Sequence, residues 1–288
     1  MEIGVLLKAT RAYRTLTPLM VMLVSVAFAG KLNMGIAALM LANILIYSGA
    51  SIHNAVRDND FRMPHYSGKV STALFIAAIA ISFSDKIMLA AALLWIALGF
   101  FYNTLSRKIL FGDSAVISVT HFAIPSMSAS LMAGASIKSS VPLAAFFMLI
   151  GFLITQTKNL KDRESDKKRD YATLATRFSS GTKMTKALLT ASFVAMMSSY
   201  FIFGLSANYI FYSAALAVIL FFSLSKISKN EEGIALMLTR MALLVFMLSL
   251  ILEKTSDFMV ISAALAMCYI YIVVISAGRM RDMAAGAK

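Results

Sequence analysis

The sequence predicts an all-α, polytopic transmembrane helical bundle, on two observations of composition and one of charge placement. Apolar side chains make up 59% of the 288 residues and charged ones 14%, and the mean hydropathy is +0.78. A soluble domain of this size carries roughly 45–50% apolar and about 25% charged residues, so a water-facing globule is excluded. Apolar stretches near the ~20 residues that cross a bilayer as a helix fill most of the chain, and the charges collect between them.

Ten apolar segments follow, at 15–30, 34–56, 70–84, 87–104, 115–136, 140–157, 184–204, 207–225, 236–252 and 258–277. Several are short, the third notably so, and loops beside them are candidates to dip into the membrane. Residues 1–288 read as one membrane domain with no separate soluble part. Of the 27 lysines and arginines, Lys31, Lys86, Lys138 and Lys254 fall on one side of this arrangement. All the others fall on the side that holds both termini and the even-numbered loops, which the positive-inside rule places in the cytoplasm. The asymmetry supports an even number of spans. It also accounts for the net charge of +13 without nucleic acid. Basic residues followed by Leu16–Val26 and then Ala27-Phe28-Ala29 resemble a cleavable signal peptide, but the charge pattern requires this segment to be retained.

Cys268 is the one cysteine, so neither an intrachain disulfide nor a cysteine metal site is available. His53, His65 and His121 show no ligand spacing to one another. A metal centre in this chain must therefore use oxygen ligands.

Seven of the 14 acidic residues lie in three cytoplasmic loops: Asp58 with Asp60, then Asp113, then Asp162, Glu164, Asp166 and Asp170. The same loops carry Arg57, Arg62, Lys69, Arg107, Lys108 and a dense basic run over 158–169. Asn54 and Asp58 are four apart at the end of the second span and share a face if helical. Asn159, Asp162 and Asp166 follow the sixth span at i, i+3 and i+7, again on one face. Magnesium takes oxygen ligands and binds through a few carboxylates plus substrate phosphates, and neighbouring lysines and arginines pair with the remaining phosphate charge. Two such helix ends suit a diphosphate held at the membrane surface. The first stripe by itself reads equally as juxtamembrane acid balancing positive-inside lysines.

The second stripe has more specific surroundings. Asn159-Leu160-Lys161-Asp162-Arg163-Glu164-Ser165-Asp166, followed by Thr173-Leu174-Ala175-Thr176-Arg177-Phe178, resembles the second aspartate motif of UbiA prenyltransferases. Its leading Asn and Thr-Leu-Ala ending look closest to the branch that prenylates naphthoquinone precursors. Phe101-Tyr102-Asn103-Thr104-Leu105-Ser106-Arg107-Lys108 with Gly112-Asp113, and Ser67-Gly68-Lys69-Val70-Ser71, are similar to further segments of that family in order and spacing. The likeness runs from about residue 10 to 252. The chain departs from the family in its first motif, where Ala55 replaces the first Asp and Arg62 occupies the last Asp position, with Asp60 nearby as a substitute.

The resemblance implies a ring of about nine helices, to which 258–277 is an added C-terminal helix. It implies an enzyme that moves a polyprenyl group from an isoprenoid diphosphate to an aromatic quinone precursor or a lipid acceptor, with Mg2+ as cofactor and membrane lipids as surroundings. Asp58, Asp162 and Asp166 are then magnesium ligands helped by Asn54 and Asn159. Lys69, Arg107 and Lys161 clamp the diphosphate, and Tyr102 orients it or shields the cation. Lys69 and Lys161 also read as orientation charges, Tyr102 as an interfacial belt residue, and His53 as a packed one. A terpene cyclase or another diphosphate-ionising enzyme on the same fold is the alternative, as is a non-enzymatic relative.

Overall fold

The computed structural model describes residues 2–58 and 63–286. Hydrocarbon offers no partner for backbone N–H or C=O groups, so apolar segments of this length satisfy themselves as helices. They are α2 (Leu16–Ala29), α3 (Met34–Asp58), α4 (Ser67–Ser82), α5 (Lys86–Thr104), α6 (Gly112–Ser118) continuing into α7 (Ile124–Met132), α8 (Ile137–Lys161), α11 (Gly181–Phe203), α12 (Tyr209–Ser228), α13 (Glu232–Lys254) and α14 (Phe258–Gly286). Short helices α1 (Glu2–Thr10), α9 (Arg163–Lys168) and α10 (Leu174–Arg177) complete the set, and no strand occurs among the described residues. Six of these helical segments are long and apolar enough to cross a membrane, and Leu16–Ala29, Ser67–Ser82, Lys86–Tyr102 and Phe258–Val273 are shorter apolar helical stretches.

Every one of the ten apolar segments contains a helix, with two differences. α14 runs beyond the expected end at 277, because the Ala- and Met-rich stretch that follows contains good helix formers. α1 was not expected as an element. Its Leu6 and Ala9 pack with Ile52 and Ala55 of α3 in a small apolar cluster. That cluster explains Ala55, which is fully buried: a carboxylate here would lie against hydrocarbon side chains.

Asp85 caps α5 by accepting from Ile87 N and Met88 N at 2.7 and 3.0 Å. Within the spans, buried hydroxyls satisfy themselves on their own helix, as Ser25 on Val21 O, Thr155 on Gly151 O and Thr239 on Ala235 O. Between α6 and α7 the chain makes a π turn over Val119–Ala123. Such turns reorient side chains inside a helix, and here Phe122 sits on Gly151 of α8, where any Cβ would collide with its ring.

The bundle closes around a central cavity. α2 packs on α7 and α13, α3 on α5, α5 on α6 and α7, and α8 on α6, α7 and α13. α14 lies against α2 and α13. Cavity walls come from α2 and the turn before it, α3, α5 and the turn after it, α6 and the π turn that follows, α8, α9 with its flanking loops, α13 and one residue of α14, while no described residue of α4, α7, α11 or α12 contributes.

Candidate active site

The cavity has a volume of about 500 Å³. One end lies where α3, α5 and α8 finish, and that end is charged. Asp58 in the last turn of α3 accepts from Arg107 Nη1 at 2.9 Å and from Arg169 Nη1 at 3.4 Å. The Asp58 side chain is 9% exposed and that of Arg107 14%. Arg107 also donates to the Tyr171 hydroxyl at 3.0 Å, and its guanidinium lies 4.6 Å from the Tyr102 ring centre and 5.0 Å from that of Tyr171. The backbone N–H of Ala172 donates to the Arg107 carbonyl at 2.8 Å. The loop after α9 is thereby tied to the loop after α5.

Asp162, 30% exposed, faces Lys158 Nζ at 3.6 Å and Lys161 Nζ at 3.4 Å. Asp166 stands one turn further, on α9. Burial pushes its carboxyl up to about 6, and repulsion from Asp162 and Asp113 adds to this against the pull of Lys158 and Arg107. Asp113 is buried in the first turn of α6 and accepts from Ser114 Oγ at 3.1 Å and Asn159 Nδ2 at 3.2 Å. Gly112 makes this turn possible, since a Cβ there would run into the Ser106 carbonyl oxygen.

Among the residues named from sequence, Asn54, Asp58, Tyr102, Arg107, Lys161, Asp162 and Asp166 line this one cavity. Two do not. Lys69 is exposed in the first turn of α4, a helix outside the cavity wall. Asn159 is 1% exposed and turned toward α6, donating to Asp113 and Ser114 rather than lining the space. Asp60 and Arg62 lie outside the described residues. His53 packs edge-on against Phe100 with ring centres 5.3 Å apart. Glu164 pairs with Arg163 at 3.4 Å. Asp170 is an exposed loop residue bonded to Arg177 at 3.1 Å.

Sequence reasoning missed Lys158, Arg169, Tyr171 and Asp113 as lining residues, and with them Arg11, Arg14 and Arg240. Asp113 carried a signal, since Gly112-Asp113 belongs to the matched segment after the fourth span. Arg240 falls within the ninth apolar segment, 236–252, and stands inside α13.

The donor set suits magnesium. Carboxylate and amide oxygens are gathered at this end, and among the described residues no three His, Cys, Asp or Glu side chains converge as a protein-only cage.

An all-helical, apolar bundle around a cavity with carboxylates and cations at one end is the architecture of an intramembrane protein. The model of the UbiA prenyltransferase family matches residues 68–235, more than half of the chain, and the chain belongs to that family. No curated protein matches. Solved structures share the fold. A UbiA homologue from Archaeoglobus fulgidus bound to DMAPP and Mg2+ superposes with a TM-score of 0.66 at 14% identity, covering 89% of this chain and 99% of its own. The apo UbiA homologue from Aeropyrum pernix K1 gives 0.66 at 14% identity, with 86% and 99% covered. A digeranylgeranylglyceryl phosphate synthase structure gives 0.63 at 13% identity, with 88% and 98% covered. The protein is an integral membrane protein.

Proposed function

We propose that this chain is a magnesium-dependent prenyltransferase that moves a prenyl group from an isoprenoid diphosphate to an acceptor within the membrane. The observation that carries this reading is the convergence of Asp58, Asp162 and Asp166 with Arg107, Lys158, Lys161 and Arg169 at one end of a single cavity. The naphthoquinone-like second motif favours an aromatic quinone precursor as acceptor, and the Ser67–Ser71 segment a lipid one.

Asp58, Asp162 and Asp166, with Asn54 beside them, would hold the metal. When bound, magnesium neutralises the leaving diphosphate as the C–O bond breaks. The chain's own cations do related work. In the ligand-free protein Arg107 and Arg169 neutralise Asp58, and Lys158 and Lys161 neutralise Asp162. A diphosphate offers these cations stronger acceptors and frees the carboxylates for the metal. Such contacts strengthen as charge develops on the leaving group, which lowers the barrier. Tyr102 stacks under Arg107 and fixes its direction, and its ring face suits a nearby allylic cation. Asn159 acts at one remove, by orienting Asp113. The inner walls, with Ile46, Phe122, Ile154 and Leu243, keep water from the carbocation.

The positive-inside pattern supports placing the mouth and both termini in the cytoplasm. Cysteine labelling at Lys108 and Lys168 should then report the inner face, and at Lys138 and Lys254 the outer. The deciding experiment incubates purified protein with labelled polyprenyl diphosphate, Mg2+ and membrane lipid extract. A labelled lipid product dependent on both extract and Mg2+ is expected. A hydrocarbon or prenyl alcohol formed without any acceptor would make the chain a cyclase or a hydrolase, and no consumption of diphosphate would remove the enzymatic reading.

A further inference from the structure

Prenyl transfer leaves a proton to be placed. Whether an aromatic carbon or a hydroxyl oxygen of the acceptor attacks the prenyl carbon, that atom ends with one hydrogen too many. At the charged end the carboxylates are committed. Asp58 and Asp162 face cations, Asp113 accepts from Ser114 and Asn159, and Asp166 is among the proposed metal ligands. Of the other described residues that line the cavity, His121 is the one whose side chain ordinarily exchanges a proton near neutral pH.

His121 sits inside the π turn between α6 and α7. It follows Asp113 by eight positions, about 12 Å of helical rise, and so stands deeper in the cavity than the carboxylates. The sequence builds the turn around it. Pro125 has no N–H to return to the Thr120 carbonyl five residues back, and the Trp95 indole of α5 donates to that carbonyl at 2.8 Å instead. The Ile124 N–H closes the turn on Val119 O. From α3 the Tyr47 ring packs edge-on against the imidazole, with centres 5.2 Å apart. The turn is thus fixed by α5, and its imidazole is packed by α3.

Hydrogen bonds also choose the tautomer. Thr120 Oγ1 donates its one proton to Val116 O at 2.8 Å. Toward His121 Nδ1, 2.9 Å away, that oxygen can then only accept. The Ile117 carbonyl, another acceptor, also bonds the ring and stands 3.4 Å from the same hydroxyl oxygen. Both place the ring proton on Nδ1. In the neutral ring Nε2 then carries a lone pair, on the edge away from its own helix.

We propose that His121 is the base of the transfer, its Nε2 taking the proton that the acceptor loses. This rests on the donor reaction proposed above. The C–O bond of the donor breaks, and its electron pair leaves with the diphosphate. An electron pair of the acceptor forms the new bond to the prenyl carbon. The acceptor's O–H or C–H bond then breaks, its electrons stay with the acceptor, and the proton moves to Nε2. The Nδ1–H bond to Thr120 strengthens as the ring gains charge. Arg14 faces the ring as a like charge, so the proton passes on to water as product leaves rather than being stored.

The test uses purified protein with labelled geranylgeranyl diphosphate, Mg2+ and membrane lipid extract. His121→Gln keeps a hydrogen-bonding group but has no basic nitrogen. Formation of labelled lipid should fall at least ~10²-fold, the size of a lost general base. Calorimetric binding of geranyl thiolodiphosphate with Mg2+ should stay within about threefold, because the donor contacts lie at the other end. His121→Ala opens a space that an added ring can fill. Imidazole should raise its rate at least ~10-fold, whereas pyrazole, of the same shape but a far weaker base, should not raise it. Product formation by His121→Gln within about threefold of wild type overturns the proposal and leaves the proton to the departing diphosphate. Equal rescue by both rings, or rescue by neither, also overturns it and makes His121 a packing residue. So does a loss of thiolodiphosphate binding as large as the loss of product, which would put the ring on the donor. A wild type that binds the thiolodiphosphate but forms no product removes the donor reaction, and the base with it.

Discussion

The two aspartate stripes share a cavity but are built differently. Asp58, on the first, is 9% exposed and clamped by two arginines from two other loops. Asp162, on the second, is 30% exposed and faces only lysines of its own helix end. The first carboxylate is thus also a structural tie between the end of α3 and the loops after α5 and α9. The Asp162 carboxylate, by contrast, ties no second element to α8 among the described residues. A substitution at Asp162 reads out chemistry alone, whereas one at Asp58 reads out chemistry mixed with folding.

Asp162→Asn should give the largest effect, a fall in turnover of at least ~10²-fold with unchanged expression and thermal stability, the size expected for one lost electrostatic contact in the transition state. A coincident drop in melting temperature would erase the contrast between the stripes. Next comes pH. Asp166 has its carboxyl raised to about 6, so it is neutral, and unable to ligate a cation, below that pH. Affinity for Mn2+, read by electron paramagnetic resonance on the ligand-free protein, should weaken about tenfold from pH 7 to pH 5. A flat profile would take Asp166 out of the ligand set.

Asp58→Asn should lower both turnover and stability. It removes the carboxylate that Arg107 and Arg169 share, at a cost of about 1–2 kcal/mol, visible as a melting temperature lower by a few degrees. Turnover lost with no change in melting would mean the clamp is not structural. The smallest effect belongs to Asp170→Asn, eight residues along from Asp162 and exposed in a loop. Exposed pairs contribute little, and turnover should change by no more than about threefold. If it matched Asp162→Asn, the second stripe would be a generally charged loop rather than a ligand set.

Much of this was legible because membrane helices are written in plain composition. The ten apolar segments needed no tertiary information, since hydrocarbon leaves helix as the only way to satisfy their backbone. Asn54, Asp58, Asp162 and Asp166 were legible as stripes, because residues three and four apart on a helix share a face whatever surrounds it. Lys69 shows where this reasoning stops. It lies close to the first stripe in sequence, but the chain turns after α3 and places α4 outside the cavity wall.

The sequence by itself determined the all-helical membrane class, the ten apolar helical segments and the spacing of the two stripes, since all three follow from local periodicity and composition. Only the tertiary structure decided which charges meet. Arg107 and Arg169 reach Asp58 across 49 and 111 residues of chain. Asn159 turns to Asp113, Ala55 is sealed under α1, and Arg240 faces the cavity rather than the membrane surface. The reason is geometric: helix periodicity fixes the spacing of side chains along a face, whereas the direction of that face depends on how neighbouring helices pack.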